Sequence, residues 1–166
     1  MSDANNFEER LGIAREAFAA LVAADAYIAS APALPVVTEQ KGDIAAMINQ
    51  ALAKLGLCIV VVAADGDSLQ RSGDAISMRV RFAAQISEKV LLNQAAARAA
   101  NVAYRPALNV AMRVVKAVDR RANGLDTGRH QPGLNEFLVD DDRAFELVKT
   151  PNDVVYEVSA YSHIEL

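Results

Sequence analysis

Two histidines, one cysteine and two short runs of aspartate are the groups with which this 166-residue chain could do chemistry. Neither histidine has a partner in the sequence that would make it a metal ligand. His130 lies in a polar stretch and His163 near the end of the chain. No glutamate-bearing histidine pair at helical spacing and no second cysteine accompanies them, so zinc is not expected. Asp65-Gly66-Asp67 opens like a calcium loop. Its twelfth position, however, is Ile76, where a bidentate glutamate is required. Asp140-Asp141-Asp142 could attract a divalent ion, but consecutive strand residues face opposite ways, which favours a polar bulge on a sheet edge. There is no Gly-x-Ser-x-Gly elbow, no Gly-x-Gly-x-x-Gly and no Walker sequence. The residues therefore predict no catalytic group, no metal and no cofactor.

The elements that would position these groups are easier to read. Ile76 to Glu88 alternates Met78, Val80, Phe82, Ala84 and Ile86 with Arg79, Arg81, Gln85 and Ser87, the period of a strand with one wet side. Before it, Leu57 to Ala64 is apolar without alternation and reads as a central strand covered on both faces. The two are expected to form a hairpin, with Ala64 to Asp74 as a long polar loop. Phe7, Leu11, Ala14, Phe18, Leu21 and Val22 recur at helical spacing, so a first helix capped by Asn6 should run to about Ala24. Pro32 and Pro35 end it, and Val36 to Glu39 reads as a short extended piece. Asp43 should cap a second helix that stops at Gly56. Val90 to Asn93 leads into an alanine-rich connection, and Pro106 then opens a third helix ending near Arg121 or Ala122. Leu125 to Asn135 reads as a loop. Phe137 to Val139 and Ala144 to Val148 read as strand pieces about the aspartate bend, and Val154 to about Ile164 as the last strand. The order helix, helix, strand, strand, helix, strand, strand predicts an α+β fold, a mainly antiparallel four-stranded sheet with helices packed on one face. One domain is expected over residues 1–166, with 1–41 as an N-terminal extension and 42–166 as the core.

Charge and composition narrow the function classes. A net charge of -4 argues against a general nucleic-acid binder, because phosphate neutralisation needs a basic surface. Arg79, Arg81, Arg113, Lys116 and Arg120 read as a solvated or interface face rather than a nucleic-acid site. The lone Cys58 sits in the apolar run and rules out an internal disulfide. No window approaches a membrane span and the N-terminus lacks the pattern of a signal peptide, which together predict a protein of a reducing cytoplasm. The apolar residues make up 52% of the chain but the aromatic ones only 5%, so the core must be aliphatic. Mean hydropathy of +0.12 is slightly high for a monomer of this size; a surface covered by other chains would produce it, and so would alanine richness alone.

The order of elements also resembles a family. A helix ending Lys54-Leu55-Gly56, an apolar strand, a long loop, a strand carrying Val80-Arg81-Phe82, a proline-started helix and a closing hairpin together resemble the small tail-terminator proteins of tailed bacteriophages. Glu88-Lys89-Val90-Leu91-Leu92-Asn93 is similar to their segment after the second strand, and Val154 to Tyr161 to their last strand. The likeness covers Gly42 to Leu166. It implies a non-enzymatic virion protein, assembled in the host cytoplasm, that forms a ring of its own copies, typically a hexamer. Such a ring terminates the tail tube and meets the head-side connector or stopper protein. Under that reading the loops Ala64 to Asp74 and Arg121 to Asn135, long and glycine-bearing, are expected to contact neighbouring rings. The expected self-assembly residues are Asp65, Gly66, Asp67, Arg71 and Asp74, with Arg79, Arg81, Arg129 and His130. Another head–tail connector or tail-tube-related protein, or a small ligand-binding domain or enzyme, are the alternatives left open.

Overall fold

The computed structural model describes residues 3–39, 42–73, 75–125, 136–149 and 153–165. Helix α1 (Asp3–Ala24) and the short α2 (Ala26–Ala29) lead to strand β1 (Val36–Thr38), followed by α3 (Ile44–Leu55). The hairpin β2 (Leu57–Ser72) and β3 (Ala75–Glu88) comes next, then α4 (Val90–Ala99) and α5 (Ala107–Val118). The chain closes with β4 (Arg121–Ala122), β5 (Glu136–Val139), β6 (Glu146–Lys149) and β7 (Val154–Glu165). The fold is α+β, but the four-stranded antiparallel sheet with helices on one face does not form. Among the described residues the sheet is mixed and has seven strands, in the order β1-β2-β3-β7-β5-β4, with β6 also pairing β7.

Three physical causes account for the differences. Val36 to Thr38 joins as a strand parallel to Ile59–Val61, and Ile59 N–H donates to the Pro35 carbonyl at 3.0 Å. This pairing supplies the one parallel edge. Because β2 is apolar on both sides, it needs cover on both. Leu57, Ile59 and Val61 face α1 and α5, whereas Cys58 and Val60 form a smaller core with Val37 under the stripe of α3. Helices therefore lie on both faces of the sheet. Finally, Ala64 to Ser72 is strand rather than loop: β2 and β3 stay paired out to Ser72↔Ala75, and Gly73 turns with φ +62°.

Local signals worked where they were strong. Asp43 caps α3 by accepting from Ala46 N at 3.0 Å, and Gly56 ends it with φ +66°. A side chain at position 56 could not be accommodated, since a Cβ there would lie 2.2 Å from Asn93 N at the start of α4. Pro106 precedes α5 as its N-cap, and α5 ends at Val118, so Arg121–Ala122 enters the sheet as β4. Helix α1 begins at Asp3, ahead of the expected cap at Asn6. The alanine-rich stretch after Val90 is helix α4.

The main core lies between the sheet and α1, α2 and α5. Phe18, Phe82 and Phe137 are fully buried at its centre, with Phe137 edge-on to both others at centroid distances of 5.1 and 5.5 Å. A buried polar clasp closes one end. The Glu88 carboxylate accepts from Asn93 Nδ2 (2.8 Å), Tyr104 Oη (2.6 Å) and Ala107 N (2.7 Å), tying β3 to α4 and to the start of α5. Next to it, the Arg105 guanidinium donates to the carbonyls of Tyr27, Ser30 and Pro32 and so holds the end of α2 against α5. Cys58 is fully buried and its thiol is pushed up to about 11 by that burial, which keeps it a protonated hydrophobe.

Candidate functional site

The face of β3 and β7 turned away from α1 and α5 carries a cluster of ion pairs. Alternation puts Arg79, Arg81 and Gln85 there from β3, and Glu157, Ser159, Tyr161 and His163 from β7. Strand β2 would present the wrong parity to join them. A bulge at Ala64 corrects this: Ala63 lies opposite Phe82 on the core side, but after one extra residue Asp65 lies opposite Arg81 and Asp67 opposite Arg79. Both aspartates are thereby delivered to the outer face.

The result is a charged ladder across three strands. Arg79 grips Asp67 with two donors, Nε to Oδ1 at 2.7 Å and Nη2 to Oδ2 at 2.8 Å, and its guanidinium lies 4.6 Å from the Tyr161 ring centroid. Arg81 Nε donates to Asp65 at 3.1 Å, and its Nη1 donates to Glu157 Oε1 at 2.8 Å and to Ser159 Oγ at 3.2 Å. Gln85 Nε2 donates to the other Glu157 oxygen at 3.0 Å. The Arg79 hydrogen bonds hold the Asp67 carboxyl down to about 2, and the Asp65 hydrogen bond raises the pKa of Arg81.

Above this ladder opens a concavity of about 300 Å³. Arg81, Glu157, Ser159 and Tyr161 form its floor, and Asp140, Asp142, Arg143 and Glu146 its wall. The wall is the bend between β5 and β6, where Asp142 N donates to Asp140 Oδ1 at 3.0 Å and Arg143 pairs with Glu146 at 2.6 Å. Leu138 stands beside Tyr161 in register and is 38% exposed. Ser159 Oγ takes a hydrogen bond from Arg81 and sits 3.4 Å from Glu157 Oε1. Its oxygen thus belongs to the ion-pair network. Among the described residues no three histidine, cysteine, aspartate or glutamate side chains stand together so as to hold a metal ion. This arrangement can recognise a charged, partly apolar surface.

His163 lies opposite Arg79 at the end of this face, with its Nδ1 buried and without a hydrogen-bond partner. Desolvation lowers its pKa below the usual 6.5; Arg79 acts in the same direction and Asp67 opposes. The folded chain therefore resists protonation of His163, while the unfolded chain takes up a proton first as the pH falls. Stability from this source is present above the unfolded value and is lost as the pH drops from there towards the folded value. We expect the melting temperature to fall more steeply between about pH 7 and pH 5 in the wild type than in His163→Gln; equal slopes would refute this.

Of the residues expected from sequence, Asp65, Asp67, Arg79 and Arg81 come together in the ladder. Gly66 lies between the aspartates, close against Met78. Arg71 sits opposite Ile76, near the tip of the hairpin and away from the concavity. Asp74, Arg129 and His130 lie outside the described residues. Sequence reasoning missed Glu157, Ser159, Tyr161, His163 and the wall from Asp140 to Glu146. The signal for the β7 residues was the same period of two that had placed the arginines. No protein-family model matches the chain, and no curated protein matches it.

Proposed function

We propose that this chain is a non-enzymatic assembly protein that joins copies of itself into a ring, in the role of the tail terminators of tailed phages. The ring would close the tail tube and seat the head-side connector protein. The observation that carries the reading is the arm formed by β2 and β3. β7 accompanies β3 along nearly its whole length, from Glu88 to Ser77, but β1 accompanies β2 only at Ile59–Val61. Among the described residues, β2 from Val62 to Ser72 has no strand on its far side, and Ala64 to Arg71 is exposed throughout.

Such an edge invites indiscriminate pairing unless it is blunted. Here bulges at Ala64 and between Asp67 and Gln70, together with Asp65 and Asp67, blunt it. Exposed ion pairs like those of the ladder contribute only about 0–1 kcal/mol each, so stability does not explain the ordering of the arm. An extended, protected arm with Leu69 half exposed is suited to insertion into a neighbour. The elements behind the phage resemblance also support it: α3 ending at Gly56, the apolar β2, Val80-Arg81-Phe82 in β3, α5 after Pro106, and the β6–β7 pair. Helix α4 and the paired arm depart from the pattern, which has a loop in the arm's place.

Removing Leu69 to Ile76 and closing the arm with Asn-Gly tests the reading. The shortened chain should melt within about 3 °C of the wild type, because no core residue is lost. In sedimentation velocity it should stay monomeric under conditions where the full chain is expected to assemble. Assembly equal to that of the full chain would refute the role of the arm.

A further inference from the structure

The outer-face concavity has a counterpart on the opposite side of the same molecule. There, α5 turns Asn109, Met112, Arg113 and Lys116 to solvent, three and four residues apart and so on one side of the helix. Met112 is 50% exposed, and these four residues with Tyr27 line a shallow depression of about 220 Å³. The Arg113 guanidinium lies 5.5 Å from the Tyr27 ring centroid. Among the described residues neither Arg113 nor Lys116 has an ion-pair partner, and the same holds for Asp140 and Asp142. One face thus presents two uncompensated cations around an exposed methionine. The other presents two carboxylates without an ion-pair partner, Asp140 near enough to Arg79 to raise its pKa, beside Tyr161 and the exposed Leu138.

We propose that the outer face of the sheet at Asp140, Asp142 and Tyr161 receives the solvent face of α5 from a second copy of the chain. The proposal rests on the ring reading and names a second contact in it, beside the insertion of the arm. Because α5 covers one side of the sheet and the concavity opens on the other, two copies joined this way meet head to tail. Neither copy uses up both of its faces, so the contact repeats until it closes into a ring or runs on as a filament. Met112 is the apolar anchor against Tyr161 and Leu138, with the opposite charges arranged around it as a rim. That rim sets register and encounter rate and makes the association salt-sensitive.

Charge exchange tests this pairing directly. Arg113→Glu with Lys116→Glu makes both faces acidic, and Asp140→Lys with Asp142→Lys makes both basic. Each double variant should self-associate at least about tenfold more weakly than the wild type in sedimentation velocity. An equimolar mixture should recover assembly, since every α5 then finds a face of opposite sign. Circular dichroism and melting confirm that each variant is folded. Should the Asp140 variant unfold through loss of its bond from Asp142 N, Asp142→Lys with Glu146→Lys replaces it. A wild type that stays monomeric refutes the ring reading and this contact together. A wild type that assembles refutes this contact alone in two cases: folded variants that assemble undiminished, showing that another occupant covers the face, or weakened variants that mixing does not rescue.

Discussion

Replacing Glu88 with alanine should lower the stability of the fold by about 3–4 kcal/mol, the largest loss expected from any polar substitution in the chain. Glu88 is only 3% exposed, yet its carboxylate satisfies a side-chain amide, a phenol and a backbone N–H from two other elements. Removing it strands the Ala107 N–H at the start of α5, where a helix has no internal acceptor. It also takes one of two acceptors from Asn93, whose Nδ2 keeps only the Arg105 carbonyl at 2.8 Å. Glutamine keeps one oxygen in place and should cost only about 1–2 kcal/mol. Equilibrium denaturation of both variants separates these values. A loss below about 1 kcal/mol in Glu88→Ala would mean that the clasp is dispensable and that α4 and α5 are held by apolar contact alone.

Phe82→Ala is expected to cost about 3–5 kcal/mol, through lost transfer energy and the cavity left beside Phe18 and Phe137, which already meet edge-on. Phe82 is fully buried, 5.5 Å from Phe137 and 6.3 Å from Phe18 by ring centroid, and these rings come from α1, β3 and β5. It is also the neighbour of Arg81, so its loss loosens the strand that carries the charged ladder. Phe82→Leu keeps most of the volume and should cost about 1.5 kcal/mol or less. Denaturant titration of the two measures the difference, with an unchanged slope showing that the same surface is exposed on unfolding. Near-equal losses would contradict a close-packed centre.

What was legible in the sequence followed the range of the forces involved. The caps at Asp43 and Gly56 and the start after Pro106 depend on a few adjacent residues, and they were found. The contrast between the two-sided β2 and the one-sided β3 was also plain, and it implied cover on both faces of β2 that the expected one-sided helix layer did not provide. Strand β1 was only an extended piece in sequence, because three residues show no period and its pairing partner lies beyond α3. Helix α4 was hidden by alanine, which blurs the apolar stripe. The arm looked like a loop because its β2 side, Ala64 to Ser72, is polar and glycine-bearing and shows no strand period; it pairs with the alternating β3, with Asp65 opposite Arg81 and Asp67 opposite Arg79. That register depends on the bulge at Ala64, which nothing in the local sequence announces. The charged residues of the site could therefore be assigned to an outer face, while their partners on β7 and the wall from Asp140 depended on long-range pairing.

The measurement that bears most directly on the role proposed here is the mass of the full chain in solution, by sedimentation equilibrium over a wide range of concentration, with negative-stain images of the same sample. The account predicts a discrete multiple of 17.8 kDa that images as a ring and weakens as salt is raised. A single 17.8 kDa species at every concentration would contradict it.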